Sequence, residues 1–166
     1  LNDKFKEYDV KWDARVTHEE GDGERLAREA AAEGVDLVAA YGGDGTVMDV
    51  AGGLMGSGVP MGIVPGGTGN AVAGAIGIPP AIEAAAELIA GGSCAVRPFD
   101  AGEANGHPFV LRADVGLLAD TLMVDRQAKD QFGSLAYAAA LLRGIVTPRE
   151  TTYAIELDSE RMTVNA

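Results

Sequence analysis

The sequence predicts an α/β fold, in which helices cover a parallel sheet, followed by the start of a β-rich unit. In the first half of the chain, short apolar segments alternate with helical patterns, which is typical of parallel strands joined by helices. Glycine-rich turns join several of these segments. After Gly91 and Gly92, most segments show the period of strands instead. We therefore predict two domains, at residues 1–93 and 94–166.

The first domain begins with a predicted strand at Tyr8–Trp12 and an alanine-rich helix from about Glu24 to Glu33. Gly34 ends that helix, because glycine adopts the left-handed conformation that commonly follows a helix. The run Val35–Tyr41 is short, mostly apolar and bounded by helix breakers, which is typical of a buried parallel strand. The remaining predicted elements are the strand Met61–Val64 and the helices Val47–Met55, Asn70–Ala75 and Pro79–Ala90.

The second domain is predicted to consist mainly of strands. They cover Cys94–Phe99, Pro108–Asp114, Thr151–Asp158 and Met162–Asn165. Between them, one face of a helix is formed by Phe132, Leu135, Ala136, Ala139 and Leu142. We expect this face to pack in the core, and a wall facing a lipid is the alternative. Because the unit ends before it closes and the chain begins with leucine, we expect a segment of a longer protein.

Composition and charge exclude several classes of protein. Cys94 is the only cysteine among 166 residues, which excludes a disulfide framework and a cysteine-rich zinc site and fits a reducing compartment. The net charge of −12 opposes non-specific binding to nucleic acid and long residence on an anionic membrane. Residues 50–82 carry no charge, but glycines and prolines interrupt them before about 18 apolar residues accumulate. We therefore expect no transmembrane helix there.

Two strand–turn–helix units follow each other along the chain. The first glycine turn is Gly42-Gly43-Asp44-Gly45-Thr46, and the second is Pro65-Gly66-Gly67-Thr68-Gly69-Asn70. In a parallel sheet both turns lie at the carboxyl ends of the strands, where open α/β sheets bind ligands. Each turn leads into a helix N-terminus, whose free N–H groups and dipole favour an anion. The turns therefore predict a phosphate-binding site, with ligand-free glycine turns as the structural alternative.

Few side chains near these turns can balance the charge of a phosphate. No lysine or arginine occurs from residue 50 to 82, so amides and the side chains of Thr46, Thr68 and Asn70 would hold the phosphates. We expect Thr46 or Asn70 also to cap the following helix. The remaining negative charge would require a divalent cation, and Asp44 is placed to hold Mg²⁺ or to take a proton from an attacking hydroxyl. Neither a Walker P-loop nor a Rossmann dinucleotide fingerprint is present.

These two motifs resemble the catalytic domain of the diacylglycerol kinases and sphingosine kinases, a lipid kinase family related to the NAD kinases. The first turn is shared with NAD kinases, whereas the second is more specific to lipid kinases. The likeness continues along nearly the whole chain, into Phe99-Asp100, Gly116–Asp120, Lys129 and Phe132–Tyr137. It implies a Rossmann-like three-layer nucleotide-binding domain that lacks its first strand, followed by part of a β-sandwich.

The resemblance implies roles for particular residues. ATP would be bound by Gly42, Gly43, Asp44, Gly45, Thr46, Gly66, Gly67, Thr68, Gly69 and Asn70. Asp44 would bind Mg²⁺·ATP or act as the catalytic base, and Asp100 would have a structural role through water and Mg²⁺. A lipid would enter a cleft between the two domains, near Gly116–Asp120 and the helix at 132–145. Asp120 and Lys129 are candidate contacts to the substrates.

The sequence departs from the family pattern at several positions. Asp49 stands where glutamate is usual, and Gly52 stands where asparagine is common. Leu122 replaces an acidic residue that sphingosine kinases use to hold the lipid head group, which argues against a sphingosine substrate. The family's opening Asn-Pro motif and its C-terminal Asp-Gly segment are missing, and the second carries the proposed base in diacylglycerol kinases. We therefore expect this chain alone to be poorly active or inactive.

The leading hypothesis is an ATP- and Mg²⁺-dependent lipid kinase that phosphorylates a hydroxyl of diacylglycerol or a related lipid. We expect it to be cytoplasmic or peripheral at the membrane, with transient membrane contact and no nucleic-acid partner, and a homodimer is left open. An NAD kinase-type phosphotransferase is one alternative, against which the second turn argues. A nucleotide-binding regulatory module without catalysis is another, favoured by the substitutions at Asp49 and Gly52.

Overall fold

The computed structural model describes residues 2–92, 95–111, 113, 152–157 and 160–165. These fall into two units, Leu1–Arg112 and Ala113–Ala166, each of which is treated by itself. The elements are α1 Asn2–Glu7, α2 Asp22–Ala32, β1 Val38–Gly42, α3 Asp44–Leu54, β2 Met61–Pro65, α4 Ala71–Ala75, α5 Ile82–Ala90, β3 Gly102–Ala104, β4 His107–Phe109, β5 Thr152–Leu157 and β6 Glu160–Asn165.

Strands β1 and β2 form the parallel sheet of the first unit. Their register runs from Val38 opposite Met61 to Gly42 opposite Pro65, so the two strands end side by side. The prediction of an α/β fold with a parallel sheet is thereby confirmed. The three-layer arrangement and the β-sandwich stay predictions.

The core of the first unit lies between this sheet and helices α2, α3 and α4. Its buried members are Ala27, Ala40, Val47, Val50, Leu54, Ile63, Val72, Ala73 and Val110. Most of them are small, so the backbones approach closely. A Cβ atom added at Gly53 of α3, for example, would lie 2.3 Å from the carbonyl oxygen of Glu24 in α2. A glycine at this position therefore sets the distance between the two helices.

Helix α2 begins at Asp22, after Gly21 has taken a left-handed φ of 85°. The Asp22 side chain is buried, and its Oδ2 accepts the backbone N–H groups of His18 at 2.9 Å and Glu19 at 3.2 Å. Its Oδ1 accepts a hydrogen bond from Arg25 at 2.7 Å. The His18 N–H, the Arg25 guanidinium and the Glu19 N–H favour the charged form and lower the pKa of Asp22 from its usual 3.8 to about 2.

Replacing Asp22 by asparagine is expected to lower the free energy of unfolding. It should also make that free energy depend less on pH in the acid range. Because the folded-state pKa is depressed, the carboxylate stabilises the fold above its unfolded pKa of 3.8 and loses this effect as the pH falls through about 2. Urea titrations should therefore give Asp22→Asn a lower unfolding free energy than the unsubstituted protein at about pH 5. The two values should converge as the pH falls from about 4 to 2. The exposed Asp36, changed to asparagine, is the control. An unchanged acid dependence in Asp22→Asn would contradict the prediction.

The predicted strand at Tyr8–Trp12 is wrong. The segment leaves helix α1 through a turn in which the Val10 N–H donates to the Phe5 carbonyl oxygen at 2.9 Å. Phe5 is buried, and Trp12 packs edge-on against it with ring centroids 5.4 Å apart. The Tyr8 hydroxyl donates to Glu87 of α5 at 3.3 Å. A strand needs a neighbouring strand for its N–H and C=O groups, and within the described residues this segment packs against helices instead.

Two predicted strands after residue 93 differ from the structure. Residues 95–99 form no strand, and Cys94 lies outside the described residues. Of the strand predicted at Pro108–Asp114, the first two residues belong to β4, which pairs with β3 around an Asn105-Gly106 turn, and residues 110, 111 and 113 form no strand. Both turn residues have a positive φ, 52° and 80°. Asn-Gly is a strong hairpin signal for this reason. The pairing ends at Phe109 because its partner, Gly102, is the first residue of β3.

Val110 joins the end of this hairpin to the core of the first unit. It is buried, and its N–H donates to the sulfur of Met48 in α3 at 3.3 Å. The first unit therefore extends to Arg112. The domain boundary placed at residue 93 stays a prediction.

In the second unit, β5 and β6 form an antiparallel hairpin. The two strands expected in this part of the sequence are confirmed. Tyr153 and Ile155 lie directly opposite Val164 and Met162, so these apolar side chains share one face of the hairpin. This arrangement explains the alternation of apolar and polar residues from which the strands are predicted.

Several predicted features lie outside the described residues. They are the helix at 132–145 with its face Phe132, Leu135, Ala136, Ala139 and Leu142, the segment Gly116–Asp120, Leu122 and Lys129. Among the helices that are described, none has the length and apolar character needed to cross a membrane.

Candidate active site

The first glycine turn joins β1 to α3. Gly43 is extended, with φ −88° and ψ −173°, and the helix begins at Asp44. The first backbone bond of the helix runs from the Val47 N–H to the Gly43 carbonyl oxygen at 3.1 Å. The N–H groups of Asp44, Gly45 and Thr46 precede it and have no partner within the helix, and no side chain caps this end. Three donors are thus available to an anion at the start of α3.

The second glycine turn joins β2 to α4 and is closed by Asn70. The Asn70 Nδ2 donates to the Gly67 carbonyl oxygen at 2.7 Å, and its Oδ1 accepts the Gly67 N–H at 2.9 Å. Asn70 is left-handed, with φ 50° and ψ 45°, a conformation that asparagine tolerates better than most residues. Its side chain does not cap α4, and Thr46 lies inside α3. The prediction that one of them caps the following helix is therefore wrong.

The two turns lie against each other at one edge of the sheet. The Gly66 N–H donates to the Gly42 carbonyl oxygen at 2.8 Å, which extends the pairing of β1 and β2. One residue further along each turn, a Cβ atom added to Gly67 would lie 2.5 Å from the Cα of Gly43. The backbones are therefore in contact, and the structure brings the two turns together as expected for the ends of neighbouring parallel strands.

Asp44 links the two turns. Its Oδ1 accepts the backbone N–H of Val72, in the first turn of α4, at 3.1 Å. Its Oδ2 lies 3.1 Å from the position that a Cβ atom on Gly69 would occupy. The carboxylate thus caps α4 from 28 residues away and leaves Oδ2 beside the second turn. Sequence reasoning missed this contact, because a capping side chain is normally found next to its own helix.

The glycines of the turns differ in what a side chain would meet. A Cβ atom on Gly42 would lie 2.7 Å from the Cβ of Thr46, and one on Gly66 would lie 2.9 Å from the Tyr41 ring. A side chain at either position would force its neighbour to shift, so packing favours glycine at both. A Cβ atom on Gly45, by contrast, would have no neighbour within 4 Å. Packing does not explain the glycine there, which is the position where a ligand would need room.

Asp49 and Gly52 are the two residues of α3 that depart from the family pattern. They contact elements other than the two glycine turns. Asp49 packs against α2. Burial of its carboxyl, and then the negative charges of Glu24 and Glu20, raise the pKa of Asp49. A Cβ atom on Gly52 would lie 2.5 Å from the Cγ of Pro108, so a larger residue would have to displace the β3–β4 hairpin.

A complete metal cage is not found in the part of the chain that the structure describes, where no group of three or more histidine, cysteine, aspartate or glutamate side chains could hold an ion. Mg²⁺ commonly uses one or two carboxylates together with substrate phosphates and waters. Asp44 fits an ion that arrives with a phosphate ligand. Asp100 is exposed in a segment without helix or strand, and its contact to a metal stays a prediction. Asp120 and Lys129 lie outside the described residues.

Known proteins resemble this chain along most of its length. Residues 1–104 match the family described as diacylglycerol kinase catalytic domain. The chain is 35% identical over 161 residues to the diacylglycerol kinase of Bacillus subtilis, which covers 95% of this chain and 52% of that protein. It is 41% identical over 134 residues to the "Probable lipid kinase YegS-like" of Pseudomonas aeruginosa, which covers 79% of this chain and 42% of that protein.

A solved structure described as a diacylglycerol kinase from Bacillus anthracis str. Sterne has the same fold. The TM-score is 0.60 at 29% sequence identity, over 90% of this chain and 51% of that chain. This chain therefore spans about half the length of such relatives. Because the family match covers more than half of its residues and includes both glycine turns, the chain belongs to the diacylglycerol kinase catalytic domain family.

Proposed function

We propose that this chain is the nucleotide-binding part of a lipid kinase that transfers the γ-phosphoryl group of Mg²⁺·ATP to a hydroxyl of diacylglycerol or a related lipid. Membership of the family supports a kinase that acts on lipids. Since the chain spans about half the length of these relatives, the proposed activity is that of the protein that carries it. We expect the chain alone to be poorly active.

The observation that carries the proposal is the uncapped start of α3 beside the second glycine turn. The N–H groups of Asp44, Gly45 and Thr46 lie at the positive end of an 11-residue helix, where the dipole and the free donors favour a phosphate. Thr68 and Gly69, at the tip of the second turn, are exposed, and Gly69 lies beside the Asp44 carboxylate at this helix start. These amides and hydroxyls would hold the phosphates of ATP.

Charge explains why a divalent cation belongs to the proposal. Residues 50–82 contain no lysine or arginine, and the Asp44 carboxylate adds negative charge beside the turns. Asp44 would either hold Mg²⁺, together with phosphate oxygens, or take the proton from the lipid hydroxyl. In both cases its bond to the Val72 N–H fixes the direction of the carboxylate. Mg²⁺, when bound, would neutralise charge on the phosphates during transfer.

Further roles follow from the family resemblance. Asp100 would contact Mg²⁺ through water, and Asp120 and Lys129 would contact the substrates. The first domain would have three layers, and the second would be part of a β-sandwich. The protein would act in the cytoplasm, in transient contact with the membrane that contains its lipid.

The proposal predicts different results for two substitutions of glycine by alanine. Gly45 in α3 and Gly74 in α4 both have room for a Cβ atom and no positive φ, so neither change should unfold the protein. A methyl group at position 45 would stand among the N–H groups that hold the phosphates. Gly45→Ala should therefore weaken Mg²⁺·ATP binding at least tenfold, or about 1.4 kcal/mol, in isothermal titration calorimetry. Gly74→Ala should bind like the unsubstituted protein.

Equal affinities of the two variants for Mg²⁺·ATP would contradict the phosphate site. The reaction itself is tested with the protein that carries this chain. Phosphate transfer to a short-chain diacylglycerol but not to NAD would support the lipid kinase, and the reverse preference would support an NAD kinase. ATP binding without transfer to any lipid would favour a regulatory module.

A further inference from the structure

The side chain of Asn70 is engaged inside the second glycine turn through both of its polar atoms. Nδ2 and Oδ1 bond to the carbonyl oxygen and the N–H of the same residue, Gly67, at 2.7 and 2.9 Å. An N–H can only donate and a carbonyl oxygen can only accept, so the backbone fixes which way the amide group points. The two bonds close a ring across Thr68 and Gly69, which form the tip of the turn.

This ring also places the tip of the turn relative to α3. Gly67, at one end of the ring, is in backbone contact with Gly43, which precedes α3. Gly69 lies beside the Oδ2 of Asp44. Opening the ring would therefore let the tip move with respect to the three N–H groups at the start of α3.

We infer that Asn70 is a positioning residue of the nucleotide site and not a ligand of the nucleotide. The inference rests on the proposed function and deepens it. The motif predicts Asn70 as an ATP ligand, whereas both polar atoms of its side chain are bonded to Gly67. Asn70 holds Thr68 and Gly69 in place before a phosphate arrives, which reduces the loss of conformational freedom when ATP binds.

The test uses the variant Asn70→Gly, which removes the ring and keeps the left-handed backbone conformation accessible. The matched control is Asn105→Gly, the same change at the left-handed asparagine of the β3–β4 turn, with φ 52°. In the nucleotide-free protein, Asn70→Gly should speed amide hydrogen exchange at Gly67 at least about tenfold, as measured by NMR. Its affinity for Mg²⁺·ATP should fall about tenfold. Asn105→Gly should change neither value.

A ligand would behave differently from a positioning residue. If Asn70→Gly weakened Mg²⁺·ATP binding but left exchange at Gly67 unchanged in the free protein, the inference would be overturned. Faster exchange with unchanged affinity would overturn it as well, because the ring would then position nothing that the nucleotide uses. Failure of the proposed function is recognised separately, since the unsubstituted protein would then show no Mg²⁺·ATP binding.

Discussion

Replacing Gly53 by alanine is expected to lower the free energy of unfolding by about 3 kcal/mol. The added Cβ atom would lie 2.3 Å from the Glu24 carbonyl oxygen and 2.8 Å from the Ala27 Cβ. Both belong to α2, and a backbone oxygen cannot swing aside as a long side chain does, so α2 and α3 would have to separate. This cost exceeds the roughly 1 kcal/mol that alanine gains over glycine inside a helix. Urea unfolding followed by circular dichroism measures the difference.

The control for this prediction is Gly45→Ala, the same change in the same helix. Its Cβ atom would have no neighbour within 4 Å, so the unfolding free energy should stay unchanged or rise by up to about 1 kcal/mol. Equal destabilisation by the two substitutions would show that the approach of α2 to α3 is not the reason for glycine at position 53.

In the protein that carries this chain, removing the Asp44 carboxylate is expected to lower kcat for lipid phosphorylation at least about 100-fold. Asp44→Asn keeps an oxygen that can accept the Val72 N–H but loses the negative charge, whereas Asp44→Ala loses both. Both variants should be defective, because under the proposed function the charge would hold the ion or take the proton. Asp44→Ala alone should also lose about 1 kcal/mol of stability, since α4 loses its cap. Radiolabelled phosphate transfer and urea unfolding measure the two effects.

Asp49→Asn provides the control, because it is the same chemical change in the same helix. Asp49 packs against α2, and its pKa is raised by burial and by neighbouring carboxylates, so loss of its charge should leave kcat close to that of the unsubstituted protein. If Asp44→Asn kept full activity, the Asp44 carboxylate would serve only to hold α4, and its proposed roles toward ion and proton would be wrong.

The contact between the two glycine turns was predictable, because the carboxyl ends of neighbouring parallel strands must meet at one sheet edge. The bond from the Val72 N–H to Asp44 was not predictable, because it joins two helix starts whose separation depends on how α3 and α4 pack. The strand expected at Tyr8–Trp12 failed for a related reason. Whether a short apolar segment becomes a strand depends on a partner for its backbone, and here Phe5 and Trp12 pack together instead.

Residue type and local pattern alone predict the order of strands and helices from α2 to α5, the place of the two glycine turns and the lack of cations near the second turn. The role of each glycine, by contrast, becomes visible only when the chain is folded. Gly53 leaves room for α2, Gly67 leaves room for the backbone of Gly43, and Gly45 borders open space. In the sequence the three glycines look alike. The reason is physical: a missing side chain makes room, and what occupies that room depends on elements that are distant along the chain.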